Sequence, residues 1–164
     1  MEKKQRKSDS QMNEKTPKYF NEINAHKYIY LGFIGEPKDN SLRLIIEEAA
    51  VESSYGPVAA EEFELGGSGI SVSDKSRVYE INFDTCIGYS VLDESFALPN
   101  DDEIFKGRIF CVYEKSVYLE FLKKASFACE DHPGPFIHYG FNCLNHIVDV
   151  ASTHEPRIML INKG

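Results

Sequence analysis

Tryptophan is absent from the 164 residues, and no stretch approaches the roughly 18 consecutive apolar residues of a membrane-spanning helix. No membrane association is therefore expected. Lys3, Lys4, Arg6 and Lys7 lead into polar residues and not into the apolar run of a secretory signal, which points to a cytoplasmic protein. The four cysteines, Cys86, Cys111, Cys129 and Cys143, include no C-x-x-C pair. Their spacing argues against a zinc knuckle or a thioredoxin-like motif; reduced thiols are expected, with Cys86, Cys111 and Cys143, which sit in apolar strand-like runs, acting as small hydrophobes. A nucleotide fingerprint is lacking too. In Gly66-Gly67-Ser68-Gly69 the third glycine of G-x-G-x-x-G is replaced by Val72, and Lys75-Ser76 comes too late for a phosphate-binding loop. Neither a cofactor nor a metal is expected.

What is present is acid. Residues 1–18 carry six basic and three acidic residues, a net of +3; the other 146 hold twelve basic and twenty-three acidic, a net of −11. A body this acidic repels phosphate backbones, which argues against nucleic-acid binding through the folded domain. It suits a protein partner with a basic surface. Without tryptophan, interface anchors must be tyrosine or phenylalanine, and Tyr28, Tyr30, Tyr55 and Tyr118 are candidates.

Hydrophobic periodicity sets the organisation. Residues 1–24 have little to bury and read as a mobile polar and basic tail, leaving 25–164 as a single mainly-β domain. Residues 28–34 are apolar on both parities, 35–40 form a turn cluster, and Leu42, Leu44 and Ile46 alternate, which together predict a hairpin. One short strand is expected within 60–65. Tyr79, Ile81 and Phe83, then Ile87, Tyr89 and Val91, define two more strands joined by a turn at Asp84-Thr85. Residues 98–106 read as an acidic loop, and 108–113 and 157–161 as further strands.

One helix follows a cap at Ser116, whose hydroxyl can accept from the first free backbone amides. Val117, Phe121, Ala125 and Ala128 mark its inward face, with Tyr118 and Leu122 adjoining them, which places Phe121 against the sheet. Residues 136–150 fit a strand with a kink near Asn145 better than a helix. The expected fold is α+β, a mainly antiparallel sheet of six to eight strands in meander order with one helix packed on a face.

The densest polar cluster is His138, Asn142, Cys143, Asn145, His146 and Asp149. Cysteine, histidine and a carboxylate can form a nucleophile, base and orienter. Cys143, His146 and Asp149 come together only if 141–151 is helical, with His138 assisting; on an extended strand Cys143 and His146 face apart. Phe83-Asp84, Tyr89-Ser90-Val91, Glu94-Ser95, His138-Tyr139, Cys143-Leu144-Asn145-His146-Ile147 and Asp149-Val150 together resemble a family of small bacterial cytosolic proteins with no activity assigned. That resemblance spans residues 77–158, implies a bacterial cytosolic domain and assigns no site. The expectation from the sequence is a non-enzymatic acidic binding module, immunity- or antitoxin-like, that occupies a basic protein partner. The alternative is a small cysteine-dependent hydrolase using Cys143, His146 and Asp149.

Overall fold

A computed structural model describes residues 16–51 and 70–161. In chain order the elements are α1 (Phe20–Ala25), β1 (Tyr28–Gly35), β2 (Leu42–Val51), β3 (Ile70–Ser71), β4 (Val78–Phe83) and β5 (Cys86–Asp93). A 3-10 turn (Glu94–Phe96), β6 (Ile104–Lys106), β7 (Phe110–Lys115), α2 (Val117–Ala125), β8 (Ile137–Asn142), β9 (His146–Ser152) and β10 (Arg157–Ile161) follow. The strand expected within 60–65, the glycine loop at 66–69 and Tyr55 lie outside the described residues.

The fold is α+β and mainly antiparallel. Among the described residues there are ten strands, of which β3 and β6 have only two and three residues. They form two sheets, β1-β2-β4-β10 with β3 on β2, and β5-β9-β8-β7-β6. The alternating side chains explain the layering, because one parity of each central strand is apolar. Leu42, Leu44 and Ile46 of β2 stand opposite Phe83, Ile81 and Tyr79 of β4. Phe141 and Tyr139 of β8 stand opposite Val148 and Val150 of β9.

These two apolar faces close on one another as a single core. Phe83 reaches across to Tyr139 and Phe141, with ring centroids 5.5 and 6.4 Å apart, and Phe110 stacks on Phe141 at 4.6 Å. Aromatic pairs at such distances add about 0.5–1.5 kcal/mol each beyond area burial. The meander expectation fails at the Asp84-Thr85 turn, which carries the chain from one sheet to the other instead of closing a hairpin. Arg157 grips Asp84 there with two bonds of 2.9 and 3.0 Å, which ties β10 to β4 at that corner.

The domain boundary also moves. Residues 20–24, expected within the tail, belong to the body: Phe20 and Ile23 of α1 are buried, and Phe20 lies 5.4 Å from Phe110. Asn24 completes the join, since its Oδ1 accepts from the amides of Arg108 and Ile109 and its Nδ2 donates to the Phe110 carbonyl. A six-residue helix offers only two apolar positions, too few for a periodicity to register. Residues 1–15 lie outside the described residues.

The second helix covers the outer face of the β5–β9–β8–β7–β6 sheet. Ser116 caps it as expected, accepting from the Leu119 amide at 3.0 Å. Its rotation differs from the expectation: Leu119 and Leu122 are buried, whereas Phe121 is 57% exposed. Gly88 explains the choice of face, because a Cβ there would stand 3.3 Å from the Tyr118 hydroxyl and 3.4 Å from Leu122. The missing side chain lets that side of the helix settle onto the sheet.

Candidate functional site

Residues 136–150 form neither one kinked strand nor a helix but a hairpin, β8 and β9 joined at 143–145. Cys143 and His146 face each other across its tip through a backbone bond of 2.9 Å. The thiol of Cys143 is buried in the core between the sheets, and burial alone pushes its pKa up to about 12. Asp149 sits on the opposite, outer face of the same sheet, alternating with the inward Val148 and Val150. Cys143 and Asp149 are therefore separated by the sheet itself, and the helical arrangement that would unite them with His146 does not form. The Nδ1 of His146 is buried with no hydrogen-bond partner among the described residues.

The hairpin does bring His138 and Asp149 together. Gly140 stands opposite Asp149 and Ala151 opposite His138, so the two functional side chains are diagonal neighbours on the outer face. His138 Nε2 lies 2.8 Å from Asp149 Oδ1, and His138 Nδ1 lies 2.8 Å from the Ser116 hydroxyl. Ser90 of β5 donates to the other carboxylate oxygen at 3.1 Å. The imidazole is stacked on Tyr113 at 4.0 Å and flanked by Tyr118 at 5.2 Å. Nothing local in the sequence announces Ser116 or Ser90 as partners, since 22 residues separate Ser116 from His138.

Proton assignment follows from the network. The Asp149 carboxylate only accepts, so Nε2–H of His138 donates to it; in the neutral imidazole Nδ1 is then the acceptor and takes the Ser116 O–H, while the Ser116 oxygen accepts from the Leu119 amide. The chain of hydroxyl, imidazole and carboxylate is that of a hydrolytic triad in composition. Access decides against that use. Ser116 is 2% exposed and His138 1%, both closed beneath α2. A cleft of about 560 Å³ lies elsewhere, lined by residues including Thr85, Cys86, Ile87, Phe127, His132 and Thr153. The network instead bolts the head of α2 to β8, β9 and β5.

A second histidine does the same for α1. His26 Nε2 is 2.7 Å from the Tyr79 hydroxyl and its Nδ1 3.1 Å from Glu48, while Tyr79 donates to Glu22 at 2.8 Å. Burial, reinforced by the Glu22 carboxylate, raises the Tyr79 pKa well above that of a free phenol. Both networks satisfy buried polar atoms and rigidify the sandwich.

Among the described residues no three histidine, cysteine or carboxylate side chains gather to hold a metal ion, and no helix is long and apolar enough to cross a membrane. All four cysteines are free.

What the surface offers is apolar and acidic. The connection from β5 to β6 runs from the His146 end of the sheet, where Asp93 pairs, to the Lys115 end, where Ile104 pairs. Phe96 is 77% and Leu98 90% exposed along it, and Ile104 and Phe105 are exposed at its end. Glu103 accepts from the Val117 amide at 2.9 Å, which sets the connection against the head of α2, where Val117 and Phe121 are also exposed. Residues 89–105 contain five carboxylates and no lysine, arginine or histidine. Sequence reading reached the acid; Tyr118, expected as an interface anchor, is turned toward His138, and the exposed Leu98, Ile104 and Phe105 lie in the 98–106 stretch read as an acidic loop. No protein-family model, curated protein or solved structure matches the chain.

Proposed function

We propose that this chain is a non-enzymatic acidic binding module that docks on a basic protein partner, in the manner of an immunity or antitoxin protein acting in a bacterial cytoplasm. The observation that carries the reading is the 89–105 segment, where exposed Phe96, Leu98 and Phe105 share the chain with five carboxylates and no basic residue, beside the exposed Val117 at the head of α2. Exposed apolar side chains gathered along one segment mark candidate interaction surfaces. A net of −11 on residues 19–164 supplies the long-range attraction for a basic face. The cysteine-hydrolase alternative lacks comparable support, because its nucleophile lies in the core and its carboxylate on the other side of the sheet.

Charge reversal tests the reading. Asp101 and Asp102 are exposed on the connection. Wild-type protein immobilised in native host extract should retain one stoichiometric basic protein, and the folded Asp101→Lys, Asp102→Lys variant should lose it. Equal retention by both, or retention of an acidic protein, would refute the reading.

A further inference from the structure

The β5 strand ends its sheet: among the described residues it pairs with β9 alone, at Cys86 and, past a bulge at Ile87, from Gly88 to Asp93. A strand in this position leaves every second amide and carbonyl pointing outward, ready to template another strand. Proteins ordinarily block such an edge with lysine, proline or an inward charge. A bulge interrupts the strand at Ile87, but from Gly88 to Leu92 the edge carries none of these, and Tyr89, Val91 and Leu92 are exposed along it. The cleft of about 560 Å³ lies at the start of the same strand, with Cys86, Ile87, Phe127 and Pro133 among its lining residues. Carboxylates stand at both ends. Glu36 lies against the Tyr89 hydroxyl and raises its pKa, while Asp93 and Glu94 close the other end.

We infer that the free edge of β5 binds an extended segment of the basic partner by strand addition. Backbone bonds along residues 88–92 would supply affinity, the cleft would take one apolar side chain, and Glu36, Asp93 and Glu94 would receive flanking lysine or arginine. A second copy of this chain fits the edge poorly, because it would set like charges against one another at both ends of the strand. The inference rests on the basic-partner reading and adds where and in what conformation the partner is held.

The probe is the octapeptide (Lys-Val)4, followed by amide hydrogen exchange and backbone resonances on the full chain. Controls are the same peptide N-methylated at alternate residues, which keeps charge and side chains but cannot pair, and (Glu-Val)4. At about 90% occupancy, outward amides within residues 88–92 should exchange about tenfold more slowly with (Lys-Val)4, and neither control should protect them. Three results would overturn the inference: no protection, equal protection by the N-methylated peptide, or a dimer in sedimentation of the chain alone whose β5 amides are already protected. Each differs from failure of the basic-partner reading itself, which is scored by partner retention in the Asp101→Lys, Asp102→Lys variant.

Discussion

Removing the Ser116 hydroxyl should destabilise the domain far more than its size suggests. In Ser116→Ala two bonds go at once, the cap to the Leu119 amide at 3.0 Å and the contact to His138 Nδ1 at 2.8 Å. Loss of a serine N-cap costs about 0.5–2 kcal/mol. The imidazole nitrogen then sits in the interior without a partner, a penalty of about 1–3 kcal/mol, because His138 is buried. Together they give about 1.5–5 kcal/mol, a large part of the roughly 5–15 kcal/mol that holds a domain of this kind together. Urea unfolding followed by far-ultraviolet circular dichroism measures it, with an unchanged m-value showing that the two states are the same ones. Ser90→Ala is the internal comparison: its partner Asp149 is about one-fifth exposed, so water replaces the lost bond and the loss should stay below about 1 kcal/mol. A Ser116→Ala loss no greater than that of Ser90→Ala would refute the bolted-helix reasoning.

Helix rotation is tested by Phe121→Ala and Leu122→Ala: the first should cost less than about 1 kcal/mol because Phe121 stands in solvent, the second about 2–5 kcal/mol, and the reverse order in urea melts would put the helix the other way round. Phe20→Ala should cost about 3–5 kcal/mol, since the ring packs on Phe110; an unchanged melt would detach α1 from the body. Under native conditions a thiol reagent should label Cys129 at once and Cys111 and Cys143 only at the rate of unfolding, because the first is exposed and the other two are buried. Burial lifts the thiols of Cys111 and Cys143 to about 12 and raises Tyr113, Tyr118 and Tyr139 in the same direction. Folding favours their protonated forms, so this stability is whole below about pH 8.5 and is lost as pH climbs toward the folded values; a urea midpoint that stays flat from pH 8 to 11 would contradict it.

Strand identities were legible because alternation is a direct imprint of a half-buried sheet, and β2, β4 and β5 carry it, while β1 and β10 stood out as short apolar runs. What alternation cannot encode is which other layer covers the apolar face, so the crossing at Asp84-Thr85 looked like an ordinary hairpin turn. Helix α2 was legible from Ser116, but two of its sides are apolar. Val117 and Phe121 form one stripe and Tyr118, Leu119 and Leu122 another, and the decision between them is made by the absent side chain of Gly88, some thirty residues away in sequence. The site followed the same rule. His138 and Asp149 were named from composition, yet their pairing depends on a turn at 143–145, and Ser116 and Ser90 join them only through the tertiary fold. Cys143 stood out for its chemistry, while its setting at the tip of an inward-facing hairpin makes it a core residue.

The salt dependence of association with the retained partner tests the central claim most directly. Stopped-flow association rates would be compared at about 0.15 M and 1 M salt, where the Debye length falls from about 8 to about 3 Å. An acidic surface docking on a basic one should associate at least tenfold more slowly at the higher salt, with folded Cys143→Ser and His146→Ala variants behaving as wild type. A rate indifferent to salt, together with loss of the biological effect in folded Cys143→Ser, would contradict the binding account and restore the thiol as the working group.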